Sequence, residues 1–205
     1  MGLDLAIVLV ALVVSAALRP WRQFGAGFPL NAWLACLVLL PWLWASQRAL
    51  PGGVALQLSG AGLLVLMFGW PLAVLSLVPI ALLGSWFAGL PWATALNLLA
   101  WNGVAVASLA LLLGLATRRW LPRHPFVFIL GRGFIVTALA MMAAGTLASF
   151  ATPLPPGTEL DTLLIGHWLM AWGEAFATGM LTAIFVAFRP EWLASWSDAR
   201  YLEGR

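Results

Sequence analysis

A chain of 205 residues that is 63% hydrophobic and only 8% charged, with a mean hydropathy of +0.99, carries more apolar surface than a soluble globule of its size can bury; it is an integral membrane protein. Its ten basic residues are all arginine and give a net charge of +3, but they form no basic face interleaved with aromatics, which excludes a nucleic-acid partner. Cys36 stands alone, which excludes a disulfide framework or a cysteine metal cage within one chain.

The first apolar run, Leu3–Leu18, has Asp4 near its start and no basic residue ahead of it, so it reads as a retained span and not a cleaved signal peptide. Runs bounded by arginine, proline and glycine then predict about seven spans: Leu3–Leu18, Leu30–Ser46, Val54–Gly69, Trp70–Gly89, Trp92–Ala116, Pro125–Phe150 and Leu160–Phe188. Each is judged against the ~20 residues a helix needs to cross the hydrocarbon. The third and fourth are separated only by the turn signal Phe68–Gly69–Trp70–Pro71, and one long bent segment there would lower the count. No fixed-period repeat is visible. The expectation is an all-α polytopic transmembrane bundle, residues 1–205 forming a single membrane domain with a short cytoplasmic tail at 189–205.

The arginines orient it. With the N-terminus outside, the cytoplasmic segments hold Arg19, Arg22, Arg118, Arg119, Arg123, Arg189, Arg200 and Arg205, whereas the external loops hold Arg48 with the acidic Glu159 and Asp161. That asymmetry predicts N-out, C-in and an odd number of spans in the cytoplasmic (inner) membrane. Tryptophans near the span ends, such as Trp21, Trp86, Trp92, Trp120, Trp192 and Trp196, fit interfacial belts.

Polar residues inside the spans are the candidates for function. At about 1.5 Å per helical residue, Gln57, Ser59, Asn97, Asn102 and His167 fall in the outer half of the bilayer, and Asp4 at its outer edge. A shared depth describes a ligand-binding cavity open to the outside, although each amide alone is equally well explained by interhelical hydrogen bonding. His167 and Glu174 are seven residues apart, so they project from one face of the last span. An ionisable group at that depth costs about 2.5 kcal/mol or more and is kept mainly where it meets a partner or a water-filled cavity. For Glu174 the alternative to a cavity role is a buried structural ion pair with Arg132, about 10 Å in from the cytoplasmic end of the sixth span; Arg132 is otherwise free to snorkel.

The end of the chain carries a longer pattern. His167, Glu174, Ala175, Thr178 and Gly179, followed by Arg189–Pro190–Glu191–Trp192–Leu193, resemble the last helix of the CbiM/NikM family, the substrate-capturing membrane subunits of cobalt and nickel energy-coupling-factor (ECF) ABC transporters. That family has a histidine, six intervening residues, Glu-Gly-x-x-Thr and a Pro-Glu-Leu-Leu-like terminus. Leu58-Ser59-Gly60-Ala61-Gly62-Leu63-Leu64 is similar to its Thr-Ser-Gly-His-Leu-Leu-Gly segment, and Asn97 with Gly103 to its Gly-x-Asn helix. The resemblance implies a divalent transition metal as transported solute, His167 as a metal ligand, and a coupling membrane protein and ATPase subunits as partners beside the lipid bilayer. The departures fall on the family's other ligands, since Gly2 and Ala61 stand where it has histidines and the nitrogen set suited to nickel is incomplete.

Other readings are weaker. A non-transporting assembly or chaperone-like partner could retain the fold without the metal chemistry. Ser59 with His167 as an intramembrane hydrolase lacks an oxyanion-hole context, and His124 and His167 lie on opposite halves of the membrane, which disfavours a bis-histidine haem site. No P-loop, Cys-x-x-Cys or His-Glu-x-x-His occurs, so the chain is not expected to be an enzyme and any ATP hydrolysis comes from another subunit.

Overall fold

The computed structural model describes residues 1–25, 27–46, 48–49, 55–154 and 157–201. Its helices are α1 (Gly2–Ala17), α2 (Leu30–Ala45), α3 (Ala61–Phe68), α4 (Trp70–Phe87), α5 (Trp92–Trp120), α6 (Val127–Ala151), α7 (Leu160–Phe188) and α8 (Asp198–Tyr201). Four of them, α4 to α7, are long and apolar enough to cross a membrane. The 16-residue helices α1 and α2 reach only about 24 Å at 1.5 Å per residue. The protein is a helical membrane bundle with its polar surface at the two ends and apolar side chains such as Val13, Leu39, Phe176 and Met180 facing outward. A two-residue antiparallel pairing, Arg48–Ala49 with Ala55–Leu56, is the β structure of the described residues.

Six of the seven expected spans are helical along nearly their whole length, and the third is not. Its expected start, Val54, lies outside the described residues, and its helix begins only at Ala61. Residues 57–60 are non-helical, and Gly60 takes the left-handed conformation at φ +69°, which a side chain would strain. A Cβ there would also lie 2.6 Å from Leu40 Cδ2. The apolar run of the third segment therefore begins as a non-helical strip, residues 57–60, buried at three of its four positions, and continues as the eight-residue α3.

Close helix packing rests on small residues. A Cβ on Gly84 of α4 would sit 2.6 Å from Trp44 Cβ and 3.0 Å from the Pro41 carbonyl oxygen of α2, so these two backbones touch with nothing between them, the arrangement expected where lipid supplies no hydrophobic drive. At one end of the bundle Met1, Asp4, Thr94, Ser149, Thr152 and Leu163 share a cavity. At the other, Arg118, Arg123, Arg132 and Tyr201 do. The start and the last described helix thus lie at opposite ends, with Glu159 and Asp161 entering α7 at the Met1 end. Residues after α7 dock on the bundle: the Ala194 and Ser195 amides donate to the Met67 and Leu66 carbonyls at 3.0 and 3.2 Å, satisfying the open end of α3. Trp196 stacks on Tyr201 and meets the edge of Phe128.

Because arginine gathers at the Tyr201 end, that end should be cytoplasmic. Reporter fusions at Met1 and at Arg205, which lies outside the described residues, should report opposite sides, external and cytoplasmic. The same side for both would refute the odd number of crossings.

Candidate functional site

The break in the third crossing creates the centre of the site. Four consecutive non-helical residues at membrane depth need every backbone group satisfied by protein, because lipid offers no partners. The Ser59 amide donates to Glu174 Oε2 at 2.8 Å and the Gly60 amide to Glu174 Oε1 at 2.7 Å. These donors open α3, so the fully buried carboxylate of Glu174 also sits where the helix dipole favours an anion. The Ser59 carbonyl accepts from Trp44 Nε1 at 2.8 Å, and Gln57 Nε2 donates to the Trp44 carbonyl at 3.2 Å. Ser59 Oγ donates to the Asn102 carbonyl and accepts from the Ala61 amide. The strip is thereby tied to α2, α5 and α7 at once.

Asn102 belongs to a π-helical stretch of α5, Leu99–Ala105, an irregularity that recurs at functional sites. Beside it lies a cavity of about 110 Å³ walled by Gln57, Asn97, Asn102, Met141, His167 and Met170 among others. On two of these residues a polar atom, Gln57 Oε1 and Asn102 Nδ2, is buried behind the wall without a hydrogen-bond partner among the described residues. Each such group costs about 1–3 kcal/mol unless something enters to satisfy it. The imidazole of His167 rests on α6, where a Cβ on Gly145 would lie 2.6 Å from its Cγ and Nδ1.

Asn97 and His167 also line the larger, more open cavity at the Met1 end, about 470 Å³, and so stand between that vestibule and the inner cavity. The vestibule is ordered by Asp4. Its Oδ2 pairs with the Met1 ammonium at 3.0 Å, and its Oδ1 accepts from Trp101 Nε1 at 2.9 Å and Asn97 Nδ2 at 3.4 Å.

The family model described as "CbiM: Cobalt uptake substrate-specific transmembrane region" matches residues 3–192. The chain belongs to this family. It is a membrane component of a transport system of the cobalt-uptake type, not an enzyme, and it works with other subunits. No curated protein and no solved structure matches the chain.

In this CbiM-family chain the residues singled out by sequence separate into two groups. Gln57, Asn97, Asn102 and His167 reach a common cavity, whereas Ser59 and Glu174 stand behind it as the brace of the broken crossing. The expected Arg132–Glu174 ion pair is not formed. Both Glu174 oxygens are taken by amides that a continuous helix over residues 54–69 would have consumed internally. Arg132 lies toward the Tyr201 end, donating from Nη1 to the Ser195 carbonyl at 3.4 Å with its guanidinium 5.4 Å from the centre of the Phe128 ring.

Near His167 the described residues hold no group of three or more His, Cys, Asp or Glu side chains able to bind a metal. Ala61 is fully buried and Gly2 presents no side chain. The wall contains instead amides, one imidazole and the two thioethers of Met141 and Met170. Those methionines, and the Trp101 bond to Asp4, carried no signal in the sequence beyond the i, i+3 spacing of His167 and Met170, because a methionine in a membrane helix looks like any apolar wall residue.

Proposed function

We propose that this chain is the solute-capturing membrane subunit of an ECF-type transporter in the cytoplasmic membrane, drawing solute from the vestibule around Met1 and Asp4 into the cavity walled by Gln57, Asn97, Asn102 and His167. The observation that carries the reading is the cavity in which Gln57, Asn97, Asn102 and His167, from the strip, α5 and α7, meet, with two buried polar atoms of that wall, Gln57 Oε1 and Asn102 Nδ2, left unpaired among the described residues. Polar side chains gathered at membrane depth are kept mainly where they face a partner or a water-filled cavity. In this reading ATP hydrolysis belongs to partner ATPases, reached through a coupling membrane protein. Pull-down of the tagged chain from its native membranes should bring down both. Recovery of the chain without any ATPase would refute the ECF assignment.

The same reading makes it a poor nickel or cobalt subunit. Divalent ions of this class bind tightly when several nitrogen donors converge, and Gly2 and Ala61 remove two imidazoles from the pattern that the family resemblance implies. Titration calorimetry of the purified protein should show Ni(II) and Co(II) binding weaker than micromolar. Stoichiometric sub-micromolar binding of either would overturn the claim.

A further inference from the structure

We propose that the cargo held in the inner cavity is a soft monovalent cation of the Cu(I) or Ag(I) type, ligated by the thioethers of Met141 and Met170 and the imidazole of His167. The inference rests on the capture-subunit reading and names the substrate class of that same site.

The juxtaposition follows from helix geometry. Helices α6 and α7 run antiparallel, and they meet where the His167 ring lies on Gly145. One turn from that contact toward the Tyr201 end, α7 presents Met170 at i+3, and α6 presents Met141 at i−4 from Gly145. Met141 and Met170 thus stand at one level, one on each helix, and both residues line the cavity with His167. Methionines used merely as filler would close such a gap, whereas here they border open volume.

The size and charge of the cavity choose among solutes. About 110 Å³ is well below the roughly 300 Å³ at which pockets for organic ligands begin, yet it holds an ion with one or two waters, each needing on the order of 10–15 Å³. No carboxylate is among the described residues lining the inner cavity. Glu174 is spent on the Ser59 and Gly60 amides, and Asp4 on Met1, Trp101 and Asn97. A divalent ion would keep its whole charge there, and the Born cost of burial grows with the square of charge, so a monovalent ion is far cheaper to hold among neutral donors. Of monovalent ions, those with thioether affinity are the soft ones, Cu(I) foremost.

The test uses full-length protein carrying Cys36→Ser, which removes the chain's one competing thiol, in detergent under anaerobic reducing conditions. Cu(I) is titrated against bicinchoninate, with Ag(I) in parallel. One ion per chain is expected. Met141→Leu and Met170→Leu, which nearly conserve volume, should each weaken binding by about tenfold or more, and the double variant should lose saturable binding while keeping its thermal transition. X-ray absorption at the copper edge should show sulfur neighbours that each single variant halves, a readout that does not depend on the double variant folding. Failure of the wild-type chain to bind either ion, or binding unchanged by the Met→Leu substitutions, overturns the proposal. If the complex with coupling protein and ATPase forms but neither ion binds, only this inference falls. If the ion binds and no such complex exists, the ion site stands and the capture-subunit reading falls.

Discussion

Glu174→Leu should destabilise the detergent-solubilised protein by roughly 2–6 kcal/mol, since it orphans two buried amide donors at about 1–3 kcal/mol each. The donors are those of Ser59 and Gly60, held at 2.8 and 2.7 Å in a strip with neither helix nor lipid to supply replacements. Glu174→Gln keeps one acceptor oxygen and turns an NH₂ toward the other amide, so about half of that loss is expected. Adding Arg132→Met should recover nothing in either background, because the guanidinium is held by the Ser195 carbonyl and the Phe128 ring and not by the carboxylate. The two changes should be additive to within about 0.5 kcal/mol, as for sites without shared partners. Thermal unfolding of the singles and the double in one detergent decides it. Recovery of stability in the double variant would show that the two charges are coupled after all.

The brace around Glu174 explains what was legible in the sequence and what was not. Helix positions followed from apolar runs and their glycine, proline and arginine borders, since a membrane leaves the backbone few alternatives to helix. The sorting of arginine from Glu159 and Asp161 between the ends was likewise plain in the chain order. The break at Ser59–Gly60 was not, because residues 54–69 are as apolar as any true span and hydropathy has no term for a backbone whose amides are met by a distant carboxylate. The Arg132–Glu174 pair, one of two readings of that glutamate, follows from opposite charges on consecutive antiparallel helices; a chain order that hides the two amides at Ser59 and Gly60 offers Glu174 no nearer partner. Gln57, Asn97, Asn102 and His167 could be assigned a depth from residue counting, but depth does not fix the face. Their meeting at one cavity depends on the π-helical stretch around Asn102 and on the passage of the non-helical strip beside α5.

Gly145→Val should weaken solute capture severely while costing less stability than Glu174→Leu. The glycine lets the His167 ring lie directly on the backbone of α6, and any Cβ would meet its Cγ and Nδ1 at 2.6 Å, closer than real contacts allow. The ring must then swing into the cavity of about 110 Å³ or force α6 from α7. The first course displaces a proposed ligand and fills the space; the second separates Met141 from Met170. Either should weaken ion binding by about 100-fold, the upper range for changes behind a metal ligand, with an overpacking cost of about 1–3 kcal/mol. Gly173, whose added Cβ would meet only Leu58 Cδ2 at an ordinary 3.6 Å, supplies the control: Gly173→Ala should leave binding and unfolding unchanged. Pairing Gly145→Ala with His167→Ala then separates sterics from chemistry. Removing the ring relieves the clash, so the thermal transition should return toward that of the unmodified chain, but capture should stay lost because the imidazole is gone. Binding restored in that double variant would show that His167 is a packing residue and that the cavity does its work without it.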